Sequence, residues 1–168
     1  MSAQWAVILL LSLLVVANSV AVITLMRRAS AQPADSTPTL RGPVPGSRLD
    51  IGTPVETVSQ GADPVVFCFI SPLCGNCRAL LPTFAALSAS KRVVLVSSAP
   101  ESAVRAYLAE QLIDLPLVTG PDVLDANAIP WPPYVVITTG QGIVLAQGGM
   151  AKPEHLDPLL ERAAALGH

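Results

Sequence analysis

The chain has 168 residues, 51% of them apolar although aromatics make up only 4%. None of the first 26 residues is charged and 20 of them are apolar, so the remainder has the composition of one ordinary soluble domain, which excludes a large multidomain enzyme. Ten basic residues against 12 acidic, a net charge of −2 and no run of either sign exclude the charge pattern of a nucleic-acid-binding protein.

From Ala6 to Met26 the sequence runs 21 residues without a charge, roughly 31 Å as a helix, which matches the hydrocarbon core of a bilayer. Trp5 stands at one end and Arg27-Arg28 at the other, where an interfacial aromatic and snorkelling cations belong. A cleaved signal peptide is the alternative, with Ala29-Ser30-Ala31 as the peptidase site. Against it, no basic residue precedes the run, and the run is longer than the usual signal-peptide core. Residues 1–28 therefore read as a transmembrane anchor, with residues 6–26 in the lipid bilayer. Residues 29–53, rich in Pro, Ser and Gly, read as a stiff linker.

The stretch Leu49 to Val58 offers an edge strand at the start of the domain. Pro64 to Ile70 is a continuous apolar run rich in β-formers, the pattern of a central strand buried on both faces. A helix is predicted from Cys74 to about Ser90, with Leu80, Leu81, Phe84 and Leu87 on one stripe and a kink at Pro82. Val93 to Ser98 repeats the buried-strand pattern. Glu101 to Ile113 is an amphipathic helix lined by Val104, Tyr107, Leu108 and Leu112. Leu115 to Val118 is a short strand, and Pro121 to Ala128 holds at most two helical turns. Tyr134 to Thr138 and Ile143 to Gln147 flank Thr139-Gly140-Gln141-Gly142, a hairpin signal. Glu154 to Leu166 closes as a helix entered through Pro153. This order predicts an α/β sheet covered on both faces, mostly parallel with an antiparallel edge.

Two of the three cysteines form Cys74-Gly75-Asn76-Cys77 at the strand-to-helix junction. Pro72 keeps Ser71 extended and ends the strand, which leaves Cys74 at the helix amino terminus. Free backbone N–H groups and the positive end of the helix dipole there favour a thiolate, the nucleophilic form. Cys77, one turn on, is placed to attack a mixed disulfide formed at Cys74. Zinc would want four ligands, yet there is no second C-x-x-C, and His155 and His168 lie far along the chain, so no metal is assigned. A purely structural bridge over one helical turn would restrict little of the unfolded chain. Cys68, between Phe67 and Phe69, reads as a small core residue.

Residues 50 to 168 resemble the thioredoxin superfamily. The run Phe69-Ile-Ser-Pro-Leu-Cys-Gly-Asn-Cys-Arg-Ala-Leu-Leu-Pro82 is most similar to the membrane-anchored thioredoxin-like proteins of methylamine utilisation. The resemblance implies a thioredoxin-like domain over residues 54–168, with a central mixed sheet flanked by helices and preceded by one transmembrane helix. It makes Pro82 the helix-kinking proline, and Trp131-Pro132-Pro133 the substrate-binding entry to a strand with Pro133 in the cis peptide; Pro130 is the second choice for that role. Gly75 and Asn76 become the dipeptide that tunes the redox pair. Leu73 stands where thioredoxins carry a tryptophan, so Trp131 is the aromatic expected to pack near the site. Cys68 stands where they carry a proton-relaying aspartate. Val93 to Ile129 resembles the added strand-helix unit of extracytoplasmic relatives.

The implied protein is a monomeric thiol-disulfide oxidoreductase. It needs no cofactor beyond a redox-active Cys74-Cys77 disulfide, and it meets a protein client and a membrane redox partner. Maturation of methylamine dehydrogenase is the implied role, with reduction of cytochrome c apoprotein thiols as the alternative. A peroxiredoxin using Cys74 with Arg78, and a copper-delivery module using both cysteines, are rivals from other classes. The arginines after the anchor favour a cytoplasmic domain by the positive-inside rule. Stable disulfide chemistry and the resemblance favour a domain outside the cell membrane's inner face, and that side is expected.

Overall fold

The computed structural model describes residues 42–167. The anchor expected at residues 1–28 and the first part of the linker lie outside the described residues. Among the described residues no helix is long and apolar enough to cross a membrane.

In chain order the elements are α1 (Val55–Ser59), β1 (Val65–Phe69), α2 (Gly75–Leu87), β2 (Arg92–Ser97), α3 (Glu101–Glu110), β3 (Leu117–Thr119), α4 (Val123–Ala126), β4 (Tyr134–Thr138) and β5 (Val144–Gly149). A 3-10 turn (Pro153–His155) then leads into α5 (Leu156–Leu166). The five strands form one sheet in the order β3-β2-β1-β4-β5. Strands β1, β2 and β3 run parallel, whereas β4 is antiparallel to both β1 and β5. The sheet is thus evenly mixed rather than mostly parallel. The extended connection from Ile129 to Pro133 brings β4 back beside β1 in the reverse direction, and hydrophobic patterning carries no sign of strand direction.

Every residue of β1 is buried, because the central strand has helices on both sides. Its alternate residues feed two cores. Val66, Cys68 and Ile70 pack with Leu80, Leu81 and Phe84 of α2, Val104, Tyr107 and Leu108 of α3, and Leu156 and Leu159 of α5. Val65, Phe67 and Phe69 face the other way, toward Val55 of α1, Val123 of α4, and Leu49 and Ile51. Helix α2 carries Pro82 in its interior and runs on to Leu87; the proline has no N–H for the Arg78 carbonyl.

The expected strand at Leu49 to Val58 is absent. Its place is taken by a single antiparallel bridge, Arg48 to Ile143, followed by the short helix α1. Residues 42–53, assigned to the linker by their composition, belong to the domain. Leu49 and Ile51 are buried, and the Gly46 and Leu49 N–H groups donate to the Val144 and Gly142 carbonyls at 2.8 Å each. Buried Asn127 clamps this segment. Its side-chain oxygen accepts from the Asp50 N–H at 2.9 Å, and its amide nitrogen donates to the Asp50 and Val123 carbonyls. The expected hairpin turn holds Gly142 at φ +83°, where an added Cβ would also come within 2.9 Å of Val55.

Candidate redox site

The site is built where β1 ends and α2 begins. After Ile70 the chain makes a turn in which the Cys74 N–H donates to the Ser71 carbonyl at 3.1 Å and the Leu73 N–H to the Ser71 hydroxyl at 3.3 Å. Cys74 is thereby placed as the N-cap of α2, in extended conformation, and its sulfur accepts from the Cys77 N–H at 3.3 Å. That N–H is one of the orphan donors of a helix start, so the sulfur stands where an N-cap oxygen ordinarily would.

Across from it, the Cys74 thiol donates to the Pro132 carbonyl at 3.6 Å. The Pro132-Pro133 peptide bond is cis, at the bond the family resemblance implied for Pro133; Asp63-Pro64 is also cis. Gly75 and Asn76 form the exposed first turn of α2. Trp131 is 61% exposed rather than packed, and Leu73 is 97% exposed. Two large apolar side chains next in sequence to the contacting residues, Leu73 before Cys74 and Trp131 before Pro132, are thus open to solvent. The exposure of Leu73 had no signal in the sequence beyond its place before the first cysteine.

Cys77 is fully buried, one turn down α2. Burial, and then a hydrogen bond with the Cys74 thiol, push the Cys77 thiol up to about 12. The two sulfurs are thus unequal: one partly exposed on a helix end, the other held neutral in the core. Cys68 is buried on β1 in the same core, and burial alone pushes its thiol far up.

Arg78, the candidate peroxidatic arginine, is engaged elsewhere. Its guanidinium lies 5.8 Å from the Tyr107 ring centroid and 3.4 Å from a Glu110 carboxylate oxygen. Among the described residues no group of three or more His, Cys, Asp or Glu side chains gathers to hold a metal ion. His155 accepts from the Ala151 N–H at 3.4 Å, at the turn that opens α5.

No family model matches the chain. A thioredoxin-like protein solved in its oxidised form superposes with a TM-score of 0.56 at 18% identity, over 76% of this chain and 98% of that one. The fold is thioredoxin-like. The thioredoxin-like chain is also similar in sequence to two proteins called methylamine utilization protein MauD. It is 28% identical over 113 residues to that of Paracoccus versutus, covering 66% of this chain and 57% of the relative. It is 29% identical over 119 residues to that of Methylorubrum extorquens, covering 69% and 56%. The chain thus spans little more than half the length of these relatives.

The burial of Cys77 has a measurable consequence for this thioredoxin-like domain. A thiol that titrates higher in the folded state than in the unfolded one binds its proton more tightly when folded. The stabilisation is fully present below the ordinary thiol range and is lost as pH rises toward about 12. Tyr134, which burial also pushes up to about 12, acts in the same direction. The melting temperature of the reduced protein is expected to hold level near neutrality and fall steeply above roughly pH 9. Cys77→Ala should flatten part of that fall. Melting curves followed by circular dichroism across this range check it, and a variant curve parallel to wild type would refute the assignment to Cys77.

Proposed function

We propose that this chain is a membrane-tethered thiol-disulfide oxidoreductase that exchanges protein disulfides outside the cytoplasm. The observation that carries the reading is the asymmetry of the cysteine pair. Cys74, partly exposed, caps a helix beside the Pro132 carbonyl, with Cys77 buried one turn beneath it. Such a pair does two-step exchange. The Cys74 thiolate attacks one sulfur of a client disulfide, forming a Cys74–client bond and releasing the other client sulfur as a thiolate. Cys77 then loses its proton to solvent and attacks the Cys74 sulfur. The Cys74–Cys77 bond forms, the client sulfur leaves, and the client is reduced by two electrons as the dithiol is oxidised. The reverse sequence oxidises a client.

The MauD names support a role in methylamine utilisation, and the client proposed on that basis is the disulfide-rich small subunit of methylamine dehydrogenase. The exposed Leu73 and Trp131 offer that client an apolar border beside the Pro132 carbonyl. A membrane redox partner renews the pair, and the anchor at residues 6–26 raises its local concentration. Cys77→Ser tests the mechanism. Without the resolving sulfur the mixed disulfide should persist at least about a hundredfold longer than in wild type. Non-reducing gels and mass spectrometry of the full chain purified from its host should then show Cys74 bonded to a client. If no such adduct forms, the mechanism is wrong. The potential of the pair sets the direction: near about −270 mV it reduces clients, near about −120 mV it oxidises them.

A further inference from the structure

Two-step exchange asks more of Cys74 than reactivity. While a client sulfur is bonded to it, Cys74 has to hold its own sulfur where Cys77 can attack. Cys77 itself is fixed, buried on the core face of α2 with Leu80, Leu81 and Phe84. Reacting atoms held in place make the second step intramolecular and fast, and lost alignment slows it. Whatever holds Cys74 therefore sets the rate of closure.

From the helix side, the Cys77 and Arg78 N–H groups donate to the Cys74 carbonyl at 3.1 and 3.4 Å. From the sheet side the chain arrives through Ile70, which is buried and donates its N–H to the Val96 carbonyl at 2.8 Å. Between Ile70 and Cys74, packing gives little hold. Leu73 is 97% exposed, so its side chain anchors nothing, and Pro72 has no N–H to donate. Ser71 makes the connection twice. Its carbonyl accepts from the Cys74 N–H at 3.1 Å, and its hydroxyl accepts from the Leu73 N–H at 3.3 Å. The carbonyl comes with any residue at this position; the hydroxyl does not.

We propose that Ser71 is a positioning residue for the second step: its hydroxyl fixes the Leu73–Cys74 peptide, so that the Cys74 sulfur of the mixed disulfide stays within reach of Cys77. The hydroxyl bonds to no client and carries no proton between the cysteines. The Cys77 proton goes to solvent, the Cys77–Cys74 bond forms, and the client sulfur leaves as a thiolate. In Ser71→Ala, water satisfies the Leu73 N–H without fixing its direction, and the exposed Leu73 side chain supplies no substitute. Threonine has the same hydroxyl on a stiffer side chain and suits the extended backbone that a following proline favours, so Ser71→Thr retains the hold.

This inference rests on the exchange mechanism proposed above, and one assay separates the two. The reduced full chain in detergent is mixed with Ellman's reagent in a stopped-flow instrument. One aromatic thiolate is released when Cys74 attacks the reagent, and a second when Cys77 attacks the Cys74 sulfur and closes the disulfide. In Ser71→Ala the first phase should stay within about twofold of wild type, while the second slows about fivefold, the scale of one neutral hydrogen bond. The first phase is spared because the reagent comes to a partly exposed sulfur. Ser71→Thr should bring the second phase back to within about twofold of wild type. Urea midpoints of all three proteins should agree. A second phase unchanged in Ser71→Ala, equal slowing of both phases, or a Ser71→Thr as slow as Ser71→Ala overturns the role of the hydroxyl. So does a Ser71→Ala chain that fails to fold, since the hydroxyl would then support the whole domain. If wild type releases only the first thiolate, the exchange mechanism itself fails, and this role with it.

Discussion

Cys74→Ser is expected to abolish disulfide exchange, lowering reduction of insulin by about a thousandfold or more, to the uncatalysed background. Serine oxygen at the N-cap of α2 still accepts from the Cys77 N–H, since serine is among the preferred caps. The helix start therefore survives, and the melting temperature should stay within a few degrees of wild type. What disappears is the sulfur: an oxygen cannot form the mixed disulfide, and buried Cys77 cannot reach a client in its place. Cys68→Ser serves as the control, because Cys68 is sealed within the core and takes no part in either exchange step. Insulin turbidity assays on the three proteins decide the point. Activity in Cys74→Ser above a tenth of wild type would place the nucleophile elsewhere.

Phe84→Ala is expected to give the largest loss of stability. Phe84 is fully buried on α2, in the core it shares with β1, α3 and α5. Truncating a phenylalanine in such a core costs about 3–5 kcal/mol, from lost burial plus the cavity left behind. Against a total of about 5–15 kcal/mol for a domain, that is a large fraction. The melting temperature should fall by about 10 °C or more. Because Phe84 lies on the helix that carries both cysteines, exchange should fall with the folded fraction and not beyond it. Urea titration and the insulin assay, run on the same samples, separate the two effects. A melting temperature unchanged within a few degrees would show that the helix is held by contacts other than this core.

Much of this was legible in the sequence because the chemistry is local. Cys74, Cys77 and Pro72 lie within six consecutive positions, and a strand followed by a helix is readable from apolar runs that change period. The approach of Pro132 to Cys74 joins residues 58 apart, and it was legible only through family resemblance. Other features escaped for physical reasons. Residues 42–53 have the prolines and glycines of a linker, yet Leu49 and Ile51 are buried by contacts with elements that follow much later in the chain. Helix α1 was read as extended because five residues are too few to show a helical period. Tyr107 fell on the expected apolar stripe of α3. That stripe predicts its burial, but not the Arg78 guanidinium over its ring. Asn127 gave no signal at all, since its partners lie 77 residues earlier and in the short helix it follows.

The segment around Gly46 to Leu49 also bears on how the domain behaves in a crowded solution. It lies against the start of β5 and the turn before it, taking up the Val144 and Gly142 carbonyls and the Val144 N–H that would otherwise be open to any passing chain. Pro43 and Pro45 have no N–H to offer, so the covering segment is itself a poor template for a further strand. At the opposite margin β3 is only three residues long. One margin is thus covered at its start and the other cut short, two common protections against sheets joining edge to edge. Breaking the Asn127 clamp would uncover β5, and its first visible cost would be self-association rather than lost redox chemistry.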